Sequence, residues 1–588
     1  MKKILALILA ACLLCTALAG CSGSSDDNTA AKEEDKGAII QTYLSNPPVS
    51  IDPSAFYSSS DAVKIMGLIY EGLTTVDENG KVKKALAKSW EDEVDERDDY
   101  LKLTITLRNS RWSDGIVVDA DDFIYAWTRI LLPESNNENA AMLYPILNAK
   151  KVKEGLVSVN DLGISAIKDN VLEITFEKDF TDVDYFLKQL ASPALVPLRE
   201  EVVTGDSSWA SAGGTSYVTN GPFKIKTWNS SELTLERSVY YRGVSDSSSN
   251  KDNKIVKPYR IVNLYSEGRK PDAQAERYAN TELFYLSLNG ASKDLLASYG
   301  KKAKTEEMLS TYCIFFNLND PLFEDARVRQ ALSLAIDRSK IANIPGTGVE
   351  PATGLVPYGI EDTSRSKDFR KQGGNLIPTS QDLEKAKQLL SDAGVSGGKI
   401  VVECSNGRDF EKTLMNYIAL SWVDLGFEVT VNTPNQNYLY NKANGVYPFE
   451  QNDANIVVMD IQSMTTDAYS MLTAFSGEYG GHFIDVTTGP DEEDVVYGSH
   501  FTGFNDPAYD EICAKIVNAA NTKDRTAAMH EAEQYLMEQL PVAPLFFNCD
   551  KYVSQKLSGI KYDKYGRLNL TNLKQSSYKK YLPVDEAN

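Results

Sequence analysis

Three histidines, at positions 482, 500 and 530, are all that a chain of 588 residues offers for acid–base work near neutral pH. None belongs to an HExxH run or to a pair with metal-ligand spacing, so solvated or structural imidazoles are expected. There is no GxSxG nucleophile elbow and no GxxxxGK(S/T) phosphate loop. Gly346-Thr347-Gly348 continues as Val-Glu-Pro and reads as a loop. Carboxylates are plentiful, Asp114, Asp119, Asp121 and Asp122 among them. Clustered near turns, they read as capping or solvent-facing groups, and nothing nominates an acid–base pair. These residues favour binding over catalysis and call for no cofactor and no metal.

One residue does invite covalent chemistry. Behind Lys2 and Lys3 the chain is apolar from Ile4 to Ala19, then breaks at Gly20-Cys21 into Ser, Gly, Asp and Asn. A basic start, an apolar stretch short of the roughly 20 residues of a bilayer span, and small residues before the break make a secretory signal. An ordinary signal cut elsewhere, or an uncleaved anchor helix, fits the same residues. Leu18-Ala19-Gly20-Cys21 resembles the lipobox of bacterial lipoproteins. There the cysteine thiol receives a diacylglyceryl group, and cleavage leaves that cysteine, here Cys21, as the new N-terminus. Residues 22–37 (SGSSDDNTAAKEEDKG) are too polar to bury a core. The expectation is a lipoprotein signal over 1–20 and a flexible tether over 21–37.

The remaining 550 or so residues exceed what one core usually supports, so two or more lobes are expected. Loss of residues 1–20 removes two lysines and takes the formal charge from −21 to −23. So acidic a chain disfavours nucleic acid, whose affinity comes largely from basic phosphate contacts. It also disfavours a polybasic membrane face, leaving the lipid as the only membrane contact. Beyond Cys21, cysteines stand at 313, 404, 513 and 549, widely spaced and without CxxC. Buried free thiols are the simpler reading, and a disulfide cannot be assigned.

These features must be carried by recognisable elements. Residues 101–107 (LKLTITL) and 171–176 (VLEITF) alternate as half-buried strands do. From about 323 the texture changes. In FEDARVRQALSLAIDR, residues Val328, Ala331, Leu332, Ala335 and Ile336 share a helical face, with Asp325 as N-cap. In TSQDLEKAKQLLSDAG, Thr379 and Asp382 have capping-box spacing, and Gly394 suits the residue after the helix. Then follow a strand (KIVVEC), a helix over about 410–425, and strands FEVTVNT and NIVVMDI. Strands alternating with helices predict an α/β lobe with a mostly parallel sheet, and the first half reads as α+β. Two lobes of different texture place a ligand cleft between them.

Several stretches together resemble the family 5 extracellular solute-binding proteins, and within them the oligopeptide-binding proteins of ABC importers. They are "IDPSAFYSSS…IYEGL" in 51–73, "LTITLRNSRWSDGIVVDADDFIYAWTRIL" (103–131), "DLGISAIKDNVLEITFE" (161–177), "TNGPFKIKTW" (219–228) and "YCIFFNLNDPLFEDARVRQALSLAIDR" (312–338). Weaker likeness continues to "QLPVAPLFFN" (539–548). The resemblance implies an α/β fold with α+β parts, in the two-lobed, three-domain manner of periplasmic binding proteins. Lobe I would be built from 38–70, 197–310 and 541–588, an inserted domain II from 71–196, and the α/β lobe III from 311–540. It further implies capture of a peptide by hinge closure and delivery to an ABC permease with its ATPase subunits.

The sequence departs from that pattern at one point. Peptide binders of the family usually carry a Trp and then an Asp before an acid–Pro pair, and that Asp neutralises the peptide ammonium. Here the stretch is "VVMDIQSMTTDAYSML" (457–472): Ile461 takes the Trp position, Met464 the Asp, and Asp467-Ala468 the acid–Pro pair. Asp460 and Asp467 are carboxylates that would substitute, or would merely cap or face solvent. A buried ammonium without a partner is expensive, whereas Met464 offers soft apolar contact. By the same alignment Tyr57, Ser58 and Ser59 would pair with the ligand backbone, and Tyr312, Tyr438 and Phe547 would line the cleft.

The expected protein is therefore a peptide or peptide-like solute receptor on the outer face of the cytoplasmic membrane, or on the periplasmic side if the host has an outer membrane. A same-fold receptor for a sugar or metal chelate is the alternative that the missing ammonium anchor keeps open. A secreted hydrolase is disfavoured by the want of a catalytic constellation.

Overall fold

A computed structural model describes residues 36–44, 48, 50–54, 60–77, 80–135, 137–241, 256–265, 271–344, 350–364, 366–404, 409–433, 449, 453–481 and 502–582. Its first strands are β1 (Ile39–Tyr43), β2 (Thr74–Val76), β3 (Val82–Lys84), β4 (Ala87–Asp95), β5 (Tyr100–Leu107), β6 (Ile164–Lys168) and β7 (Val171–Thr175). There follow β8 (Phe223–Trp228), β9 (Glu232–Arg237), β10 (Arg260–Leu264), β11 (Tyr285–Ser287), β12 (Lys304–Phe316) and β13 (Glu350–Pro351). The series goes on with β14 (Gly398–Glu403), β15 (Phe427–Asn432), β16 (Ile456–Gln462) and β17 (Val542–Ser554).

One sheet runs through the molecule in the order β15-β14-β16-β12-β17-β11-β1-β10-β9-β8, with β13 beside β17. Its centre is an antiparallel ribbon of two 13-residue strands, β12 and β17. On one side β12 pairs with β16 through Ser310–Phe316; on the other β17 pairs with β11 through Tyr552–Ser554. The ribbon's register is broken between Glu307 and Thr311 and again between Tyr312 and Cys313. Such irregularities bend a strand pair and weaken its ladder locally. From Met308 to Phe316 every residue of β12 is buried, as its unbroken apolar run requires of a strand covered on both faces.

The predicted elements of the second half form: a helix over Ala326–Leu334 with the Asp325 side chain accepting from Arg327 N, a helix over Asp409–Asp424 stopped before Gly426, and strands β14, β15 and β16. Two expectations change. The sheet there is mixed, parallel through β15-β14-β16 and antiparallel at β16-β12-β17, because its inner neighbours are the long ribbon strands. The helix Leu383–Asp392 starts from Asp382, whose side chain accepts from Lys385 N, so Thr379 is not the cap. Gly394 has φ of +72°, as a residue ending that helix in left-handed backbone requires.

A separate antiparallel sheet, β4-β5-β7-β6, packs under the helix Ala120–Leu131. The WSDG segment forms a tight turn before that helix, with Gly115 at φ +96° and its N–H donating to Trp112 O. Trp112 is buried, and its Nε1 donates to Asp122 Oδ2 at 2.9 Å. Asp122 also accepts from Asp119 N, while Asp119 accepts from Asp121 N and Asp122 N, a complete capping box. Asp114 pairs with Arg199. Asp119 and Asp122 are therefore capping groups, one of the two roles expected, while Asp114 is an ion-pair group and Asp121 is exposed. At the far end of the same helix, Arg129 grips Asp52 with two nitrogens. On the helix Ser60–Ile69, Lys64 makes a fully buried ion pair with Asp550 of β17 at 2.8 Å, and Tyr285 and Tyr562 also donate to that carboxylate.

Candidate functional site

The loop after β16 is held by its own side chains. Ser463 N donates to Leu309 O, Met464 N to Ser470 Oγ at 2.8 Å, Thr465 Oγ1 to Asp467 O at 3.0 Å, and Tyr469 N to Asp467 Oδ1 at 3.2 Å. Short hydroxyl residues at alternate positions thus replace regular structure, and the loop is buried throughout. Tyr469 reaches across to Ala141 O at 2.9 Å.

A pocket of about 440 Å³ opens beside this loop, within the size range of small-molecule sites. Asp467 forms part of its wall, with Arg525 and Met529 of the helix Thr522–Gln539 and with Tyr185 and Lys188 of the helix Val183–Gln189. Arg525 is 2% exposed and its guanidinium lies 3.6 Å from the Tyr185 ring centroid. Its Nη2 donates to Asp182 Oδ2 and Ala519 O, while Nε and Nη1 have no hydrogen-bond partner among the described residues. Burial pushes the Tyr185 hydroxyl well above its ordinary value, and the neighbouring Asp467 carboxylate adds to the shift, so this phenol stays neutral. At the rim, burial of Asp362 is outweighed by hydrogen bonds from Thr363 and His530 that hold its carboxyl below the ordinary range. His530 Nε2 lies 2.7 Å from Asp362, with its ring stacked on Phe369 at 3.9 Å.

Of the residues read from sequence, Met464 and Asp467 share the one loop, but only Asp467 lines this pocket; Met464 is 2% exposed and packs into the core. Asp460 accepts from Asn548 Nδ2 at 2.6 Å and sits opposite Tyr312 in the β16–β12 register. Tyr312 is completely buried, stacked at 4.9 Å on Phe546. Phe547 pairs with Thr311, so it lies on the other face of the ribbon, edge-on to Tyr358. Cys21, Tyr57, Ser58, Ser59, Tyr438, His482, His500 and Gly346–Gly348 lie outside the described residues. Sequence reasoning missed Arg525, Tyr185, Lys188 and Glu361. Their partners are more than 170 positions away, and no local signal announces such pairings.

Among the described residues, Cys313, Cys404, Cys513 and Cys549 are free, no acid, His or Cys cluster is placed to hold a metal, and no helix is long and apolar enough to cross a membrane. A self-bonded loop beside a charged pocket makes this the candidate site. The family model for bacterial extracellular solute-binding proteins, family 5, matches residues 81–483, and the chain belongs to this family. It is 26% identical over 563 residues to the dipeptide-binding protein DppE of Bacillus subtilis, covering 95% of each chain. The oligopeptide-binding protein OppA of the same organism is 23% identical, over 95% of this chain and 97% of that one. The structure of Listeria monocytogenes OppA bound to peptide superposes with a TM-score of 0.73 at 21% identity, covering 92% of this chain and 99% of the other. The fold is thus that of the OppA-type binding proteins, α/β with α+β parts and two lobes, and the family and relatives are binding proteins rather than enzymes.

Proposed function

We propose that this chain is a lipid-anchored, extracytoplasmic receptor that captures oligopeptides by hinge closure and hands them to an ABC permease driven by its ATPase subunits. Cys21 carries the lipid and residues 21–37 are the tether. The lobes divide as 38–70 with 197–310 and 541–588, 71–196, and 311–540. The broken register of the β12–β17 ribbon supports this division, because among the described strands that ribbon joins the two halves of the large sheet and its ladder is interrupted between Glu307 and Thr311 and between Tyr312 and Cys313. The observation that carries the proposal is the buried, self-bonded loop Ser463–Asp467, whose Asp467 lines a pocket of about 440 Å³ in a chain with an OppA-type fold. Tyr57, Ser58, Ser59 and Tyr438 are proposed to contact the peptide backbone and side chains, whereas Tyr312 and Phe547, on opposite faces of the ribbon, serve its packing and Asp460 is held by Asn548.

Met464, which stands where an ammonium-pairing acid is usual, favours a second reading in which the solute lacks a free amino terminus or is not a peptide. Calorimetric titration with matched free and N-acetylated peptides tests both. Binding of peptides supports the first reading; failure to bind any peptide shifts it to a non-peptide solute.

A further inference from the structure

The helix Val183–Gln189 and its N-cap present Asp182, Tyr185 and Lys188 at three-residue spacing, which puts them on one face. All three engage groups far along the chain. Lys188 Nζ lies 2.5 Å from Glu361 Oε2. Asp182 and Tyr185 hold Arg525, one by an ion pair at 3.2 Å and the other by its ring face.

Glu361 joins this face to the ligand loop. Its backbone N–H donates to Thr466 O at 2.9 Å, between Met464 and Asp467. Its side chain, 4% exposed, lies over the turn between β2 and β3. Gly80 in that turn has φ of +71°, and a Cβ there would stand 1.9 Å from Glu361 Oε1. Glycine thus suits the left-handed backbone there, and a Cβ would displace the carboxylate from the space it fills. A permanent seam would gain more from apolar packing, since a buried ion pair adds little net stability. Hydrogen-bonded charges are the better choice for surfaces that must separate, because each partner is readily hydrated once exposed, and interfaces between moving domains are accordingly polar.

We infer that Glu361 is a positioning residue for solute capture. It fastens the Asp182–Lys188 face and the Gly80 turn to the loop Ser463–Asp467 in the closed state, and this clasp releases when the cleft opens. The inference rests on the two-lobed receptor reading proposed above.

The test uses the full-length lipoprotein in detergent, spin-labelled at Leu156→Cys and Leu420→Cys. Both positions are 68% exposed, one on each side of the clasp. Distance distributions are measured alone and with an equimolar pool of trialanine, tetra-alanine and penta-alanine. Glu361→Ala and Gly80→Ala are each expected to lower the closed-to-open ratio about two- to tenfold, the net size of one hydrogen bond. Gly80→Ala in the Glu361→Ala background should lower it no further, because the clash needs both groups. The charge exchange Lys188→Glu/Glu361→Lys should recover most of the wild-type ratio. The strained turn lowers the melting temperature in either background, so the melting temperature and the closed fraction separate a structural from a positioning role. A wild-type equilibrium that peptides shift but Glu361→Ala does not would overturn the clasp and leave the receptor. One that Glu361→Ala shifts but peptides do not would leave the clasp and overturn the peptide reading. A single distance unmoved by either would overturn both.

Discussion

Arg129 Nη1 and Nη2 reach Asp52 Oδ1 and Oδ2 at 2.9 and 2.6 Å, and Nη1 also donates to Ser54 Oγ. This fork ties the IDPS turn to the end of the helix Ala120–Leu131, across 77 positions of sequence. Both ends belong to motifs that carry the family likeness, and both serve the scaffold. Arg129→Lys keeps the charge but loses the bidentate geometry. It should destabilise by about 1.5–3 kcal/mol, the range for hydrogen bonds to charged groups, read as a lower urea midpoint with solute affinity unchanged.

Asp122 predicts a pH effect. Burial pushes its carboxyl up to about 7, against hydrogen bonds from Asp119 N and Trp112 that favour the anion. The folded chain therefore holds this proton at pH values where the unfolded chain has released it. Its contribution is full below about pH 4 and is lost as pH rises towards 7. Asp122→Asn should remove that loss. The stability difference between variant and wild type should move in the variant's favour by about 1–3 kcal/mol between pH 4 and pH 8, measured by urea unfolding at each pH.

Cys21→Ser should leave the protein released or as an unprocessed precursor, while the wild type partitions with membranes. Stable attachment needs more than one acyl chain, which a diacylglyceryl group supplies. A Ser variant that fractionates and migrates like the wild type would remove the anchor from the proposal.

N-terminal acetylation of a bound peptide discriminates the acids. With Met464 at the ammonium position, acetylation should cost little. If Asp460 or Asp467 pairs with the ammonium, it should cost roughly 2–5 kcal/mol, and Ala at that Asp should abolish the difference. Asp467 lines the pocket, whereas Asp460 is already held by Asn548. Asp467→Ala is therefore the decisive variant in the calorimeter.

Much of the scaffold was legible because periodicity is local. Val328, Ala331 and Leu332 share a buried helix face, and β5 alternates half-buried and buried positions from Lys102 to Leu107, as their spacing implies. Local reading failed where a distant partner decides. The mixed sheet follows from β12 and β17, which come from far-apart segments. Tyr312 is sealed by Phe546, 234 positions later, and Glu361 reads as an ordinary surface acid until Lys188 and Gly80 are placed against it.

The β12–β17 ribbon also sets the order of assembly. β17 neighbours β11, β12 and β13, yet among the described residues it is the last strand of this sheet in sequence order. A polypeptide delivered from its N-terminus leaves the facing edges of β11 and β12 open until Val542–Ser554 arrive, and open edges invite pairing with other chains. Fragments ending before Val542 should therefore aggregate rather than yield either half alone. Completion of the sheet waits on one late strand, and the interval before it is added is when this chain depends most on being kept from its neighbours.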